Sequence, residues 1–418
     1  MKKFQRLATY LICFVLARGM LFASPILLAN LLSNYSYGVV EWAHAAATFI
    51  STIVALGTSA VIPLIVLKNV QKCTVAGVLI HHILLVLVCF TLVCISLYFD
   101  GGDAIIFGAL LTAALALQVF WSTYLKTHGR GEASMLLDAS LFALMALITA
   151  IANYFHVSNP FLWVMWAVSI YTFCLLCISV VKFFSLLHYS KTIAYRAVLI
   201  LGLPLMMAAL VTVAVTISGR LAIGYLGGPL LTADYAALAR VTALPIVAHQ
   251  IIMVAKFRYF FTLQDKEVEG IMLTMLSCVA LLVVGLWVCF PLLGGLFGQA
   301  FKKTFMAESL PALWLLAQSI LWSAIALHDT INTRHQTINK VLAWSVAYII
   351  ISIPLAFLVI QVIGVSLANF VYVHGIFMLL YYITQIISMY RAGIRLIRPW
   401  TFSLLAYIGL VGLATVIY

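Results

Sequence analysis

Residues 75 to 99 read VAGVLIHHILLVLVCFTLVCISLYF, without one Asp, Glu, Lys or Arg. Wound as a helix at about 1.5 Å per residue, a run of this length crosses the roughly 30 Å hydrocarbon core of a bilayer. Such runs recur along the whole chain. Polar breaks bracket them near 7–32, 39–67, 74–99, 104–126, 134–155 and 160–187, then near 197–226, 231–258, 269–292, 309–329, 340–362 and 365–390. In lipid every backbone N–H and C=O must be satisfied internally, and at these lengths that means a helix. Only 8% of the 418 residues are charged and 65% are hydrophobic, against about a quarter charged in soluble domains. A water-exposed fold is excluded. The predicted fold class is all-α: a polytopic membrane protein with about twelve transmembrane helices in two six-helix lobes. The hydrophobic stretch 401–418 stands apart as a thirteenth segment, either spanning or lying at the interface.

The net charge of +12 invites a nucleic-acid reading, but the charges lie singly or in small groups between apolar runs and form no basic cluster or stripe, so no nucleic-acid partner is expected. They act instead as topology signals. With the N-terminus cytoplasmic, eighteen Lys and Arg fall on the inner side and two, Lys302 and Lys303, on the outer side. Arg18, Arg220 and Arg240 lie inside spans, which accounts for all 23. That asymmetry predicts twelve spans with the N-terminus inside. Residues 1–6 resemble the start of a signal peptide, yet the apolar run that follows is too long and lacks a cleavage site, so it reads as a retained span. The Cys174/Cys177 pair sits in an apolar run and reads as packed or lipid-facing rather than redox-active.

The inner linker LLHYSKTIAYR (186–196) separates six spans from six. This predicts an N-terminal lobe over 1–190, a C-terminal lobe over 191–390, and a basic linker with a hydrophobic segment over 391–418. Two halves of six spans start from the same side, so any repeat relating them is parallel. The first and seventh spans both carry helix-weakening residues: Gly19 and Pro25 in one, Gly202, Pro204, Gly219 and Gly224 in the other. Interrupted helices at matching places point to a substrate path. On the second span Tyr37, Glu41, His44 and Thr48 are spaced four, three and four apart, one polar stripe that must face protein or water. Glu41 and His44 are candidates for ion coupling; equally, Glu41 can neutralise a nearby arginine. His81, His82, His249 and His374 read as hydrogen-bonded packing residues. Asp138 and Asp329 read as local charge partners of Arg130 and Arg334.

The NYSYG exit from the first span, LGLPLMMAAL opening the seventh, ADYAALARVTALP in the eighth and the THGRGEAS turn between the fourth and fifth resemble the multidrug/oligosaccharidyl-lipid/polysaccharide exporter superfamily. Within it, the chain resembles bacterial O-antigen repeat-unit flippases of the Wzx type. The second-half turn NTRHQTINK lacks the glycine of HGRG, so the halves differ there. The resemblance implies two six-helix lobes around a central cavity opening alternately to each face, and an anionic lipid-linked oligosaccharide as cargo. Arg18, Arg240 and Arg220 then become candidates for binding the diphosphate of an undecaprenyl-linked substrate, because a guanidinium gives bidentate bonds to phosphate. Arg18 lies about 17 Å along its helix, near mid-depth. The structural alternatives are that Arg220 snorkels outward and that Arg240 ties down carbonyls. The expected setting is the bacterial inner membrane, with a proton or sodium ion as coupling partner and other polysaccharide-assembly membrane proteins as neighbours.

Two other functions compete. A drug exporter of the same superfamily would favour deep carboxylates in the first or seventh span, where this chain has arginines. A membrane polysaccharide polymerase or ligase would carry a large outer loop with catalytic Arg and His. The longest outer loop, LGGLFGQAFKKTFMAE (293–308), is short and has no histidine. No metal-ligand cluster, cofactor motif or nucleophile–base spacing appears, so neither enzyme chemistry nor a cofactor is expected.

Overall fold

Long apolar runs leave the chain little choice but to satisfy its backbone in helices, and the computed structural model bears this out: among the described residues all regular structure is helical apart from turns. It describes residues 2–68, 74–99, 102–190, 195–249, 252–253, 260, 263–296, 298–335 and 337–417. The predicted inner charges Lys72, Lys191, Lys256 and Arg258, and residues 250, 251 and 254–258 of the predicted 231–258 span, lie outside them. The chain divides into two compact units, Met1–Leu221 and Ala222–Tyr418.

The first unit contains α1 (Lys2–Leu31), α2 (Asn34–Val54), α3 (Thr58–Lys68), α4 (Val75–Tyr98), α5 (Asp103–Thr127), α6 (Gly131–Tyr154), α7 (Pro160–Ser190) and the first part of α8 (Tyr195–Thr242). Ser33 caps α2 by accepting from the Ser36 N–H, and Thr74 caps α4 by accepting from Gly77. The THGRGEAS turn works through Gly129, whose φ of 74° is open to glycine at little cost. In α5, buried Ala113, Ala114 and Ala116 let neighbouring helices approach closely, as small residues do where lipid supplies no hydrophobic driving force. Polar side chains then tie helices together: Trp121 donates to Ser179 at 2.9 Å, and Ser122 meets Ser134 at 2.9 Å.

The run 39–67, predicted as one span, is two helices. α2 ends at Val54, α3 begins at Thr58, and their axes differ by 53°. The predicted boundary between spans at 226 and 231 does appear, as non-helical Gly228 (φ 74°) inside α8. α8 also bends by 70° between Val211 and Thr216.

The second unit holds the rest of α8, α9 (Asp265–Leu296), α10 (Gln299–Ala307), α11 (Ser309–Arg334), α12 (Ile338–Ile363), α13 (Leu367–Arg391) and α14 (Ile397–Ile417). Its core gathers Tyr235, Leu238, Val279, Phe301, Leu316, Ile320 and Phe370. A directed chain of hydrogen bonds crosses it. Trp400 donates to His328 Nε2 at 3.1 Å, so the proton sits on Nδ1 and donates to Gln385 Oε1 at 3.1 Å. Gln385 Nε2 donates to Tyr381 and Tyr381 to Ser345. The donors of Trp400, His328, Gln385 and Tyr381 along this chain each find an acceptor, and α14 is thereby fixed to α11. Among the described residues ten helices are long and apolar enough to cross a membrane, or up to twelve if each bent pair is one span; α14 is among the ten. The protein is a multi-pass membrane protein.

Candidate functional site

The polar stripe of the second span lies on α2 and faces protein. Tyr37 and Glu41 are buried, and His44 and Thr48 are half-buried. Glu41 is 0% exposed, and Arg220 Nη1 donates to its Oε2 at 3.0 Å. Of the two roles open to Glu41, the geometry realises neutralisation of an arginine. It also sets aside snorkelling for Arg220, which turns toward Glu41 with its side chain 18% exposed. A carboxylate this deep is tolerable only with a partner, and removing one member of such a pair costs about 3–5 kcal/mol. Glu41 takes one of the five N–H donors of the guanidinium, so the fork keeps capacity for a second anion.

The other predicted site residues are not drawn into this pair by any bond described. Arg18, half-buried on α1, holds its guanidinium 5.6 Å over the ring of Phe14, one turn back on the same helix. Such cation–π stacking shelters a charge without neutralising it. His44 packs edge-on against Phe142 of α6, with centroids 4.6 Å apart, and Thr48 returns its hydroxyl to the His44 carbonyl at 2.8 Å. Arg240 is half-buried near the end of α8 and belongs to the second unit.

Two of the expected charge pairs form with other partners. Asp138 pairs with Lys126 at 3.1 Å rather than with Arg130, because the turn between α5 and α6 sets those two helices side by side. Arg334 pairs with Asp265 at 2.7 Å and donates to the Phe260 and Leu263 carbonyls, so it ties down the chain before α9 instead of serving Asp329. Three of the intramembrane histidines are hydrogen-bonded packing residues, as expected: His374 meets Gln318 at 3.0 Å, His81 meets Tyr195 and the Val54 carbonyl, and His82 meets Thr58 and Ser59. Cys174 and Cys177 are exposed free thiols on α7. Among the described residues no group of three or more His, Cys, Asp or Glu could hold a metal ion.

The fold is shared with known transporters. An inward-facing multidrug resistance MATE family transporter of the MOP superfamily aligns with a TM-score of 0.62 and 14% identity, over 95% of each chain. The lipid II flippase MurJ, in an inward closed conformation, gives 0.62 and 13% over 98% of each chain. A MOP superfamily transporter from Pyrococcus furiosus, described as having a binding pocket of reverse polarity, gives 0.56 and 14% over 96% of this chain and 95% of that one. At such identities the likeness is one of fold. No family model and no curated protein matches the sequence.

Proposed function

We propose that this chain is a flippase of the bacterial inner membrane, N-terminus inside. Its cargo is an undecaprenyl-diphosphate-linked oligosaccharide, an O-antigen or related repeat unit, moved by ion-coupled alternating access. The observation that carries this reading is the pairing of Arg220 with buried Glu41. A membrane-embedded guanidinium is expensive unless partnered, and here its partner is a group that a proton can silence. With Glu41 ionised, Arg220 is neutralised in place. With Glu41 protonated, its fork is released to a phosphate, which it can hold by two charge-assisted bonds. Uptake of a proton and capture of an anion are then linked through one side chain. Arg18 and Arg240 supply further cationic contacts, and His44 lies one turn along from Glu41 as a second ion-coupling group. The embedded arginines favour this anionic cargo over the cationic drugs of the multidrug branch.

The test is complementation of a flippase-deleted host, scored as surface polysaccharide per unit of protein in the membrane. Arg18→Ala removes a charge and relieves its insertion cost, so abundance should hold. A charge-assisted hydrogen bond is worth about 1.5–3 kcal/mol, enough to weaken binding about tenfold or more. Arg18→Lys, which keeps the charge without the fork, should fall between alanine and wild type. Normal polysaccharide with Arg18→Ala at native abundance would make Arg18 structural and remove it from the site.

A further inference from the structure

The break in the second span is held from outside. At Leu56 and Gly57 the backbone turns into the left-handed region, with φ of 48° and 65°. Leu56 is a branched residue in a conformation that disfavours it, so a continuous helix would suit this residue better. The bent state survives on bonds that only it offers. His81 Nε2–H donates to the Val54 carbonyl at 2.8 Å, and the ring is set for that by Tyr195, whose hydroxyl lies 2.8 Å from Nδ1 and donates to it. His82 Nε2 lies 2.9 Å from Ser59 Oγ and 3.1 Å from Thr58 Oγ1, at the first turn of α3. The break also seats backbone to backbone on α8. A Cβ on Gly57 would collide with the Gly202 carbonyl, and one on Gly202 would collide with the Leu56 carbonyl. In an unbroken helix the Val54 carbonyl would accept from Thr58 within the helix, and His81 would lose its acceptor.

We propose that Leu56–Gly57 is a two-state joint in the second span, and that the helix beginning at Tyr195 is the wedge that keeps it bent. When that helix withdraws from its seat, residues 34 to 68 close into one helix. The signal passes through Tyr195 to His81 and through the Gly202 contact, with no charge involved. Two packings of one segment, each with its own bonds, make a discrete switch rather than a flexible loop.

The joint is read by distance. Spin labels at Tyr35 and Leu67, both exposed, lie on the two limbs, which are about 31 and 16 Å long at 1.5 Å per residue. Removing the 53° bend lengthens their separation by about 4–5 Å, within the resolution of double electron–electron resonance. In the otherwise unmodified full chain in nanodiscs, the labelled protein should give the bent distance. Gly202→Ala, which cannot seat, should add a population about 4–5 Å longer. Tyr195→Phe loses only a hydroxyl, folds without difficulty, and should show the same longer population at smaller amplitude. If both variants keep the single bent distance, the break is fixed by residues 55–59 alone and the proposal fails. No substrate enters the measurement, so its outcome stands apart from that of the polysaccharide assay.

Discussion

Replacing Arg220 by Met leaves the Glu41 carboxylate, 0% exposed, facing a thioether where a guanidinium stood 3.0 Å away. The structure puts this single change in the costly class, about 3–5 kcal/mol, whereas exchanging both members of a buried pair for neutral groups of similar volume is near neutral. The double variant Glu41→Gln/Arg220→Met should therefore be more stable than Arg220→Met alone, with a coupling energy of about 1–3 kcal/mol. Thermal unfolding of the detergent-purified proteins, followed by intrinsic fluorescence of the nine tryptophans, measures all four corners of the cycle. Losses that simply add would show that the two side chains do not interact, and the buried-pair argument would fall. Transport separates structure from function in the same set. If Arg220 binds the cargo, the double variant is stable, reaches the membrane and moves little polysaccharide. Transport recovered along with stability would leave the pair as a brace and remove Arg220 from the substrate site.

Two further outcomes follow from charges outside the spans. Cysteines introduced beside Lys302 and beside Arg196 should label from opposite sides with an impermeant reagent, the first from the periplasm; identical labelling would refute the eighteen-to-two topology. Glu308, between α10 and α11, has its carboxyl held above the usual 4.5, first by burial and then by the charge of Asp234. A raised carboxylate value means the folded state binds more protons in that window, so this contribution is present below the unfolded value and is lost as pH rises through the folded one. Glu308→Gln should consequently raise the melting temperature more at pH 7.5 than at pH 4, and an equal shift at both would discount the charge.

The spans were legible because a helix in lipid advertises itself by length and apolarity alone, and Gly228 was legible because LGGPLL interrupts the run with residues that resist helix. The Leu56–Gly57 break was not. It sits in a stretch whose average remains apolar, and its marks are Gly57, Pro63 inside α3, and the polar pair Thr58–Ser59, which find their partner on α4 rather than nearby. Charge pairing was legible only as a need. The sequence showed that Arg220 and Glu41 each require compensation, while their 179-residue separation concealed that they compensate each other. Nearness in sequence misled for Asp138, since a helical turn carries Lys126 to it across the α5–α6 junction.

Within the first unit these two unforeseen features belong to one contact. Along the second span Glu41 precedes Gly57; along α8 their partners come in the reverse order, Gly202 before Arg220. The two segments therefore run antiparallel, joined by a charge pair at one end and a backbone seat at the other. The ends differ in kind. The seat depends on shape and is indifferent to charge, whereas the pair depends on the ionisation of Glu41 and is indifferent to a Cβ at position 202. If Glu41 takes up a proton, the charge pair is released while the backbone seat still holds the Leu56–Gly57 joint bent. The two ends can therefore be released separately, one by protonation and the other by withdrawal of the helix that begins at Tyr195.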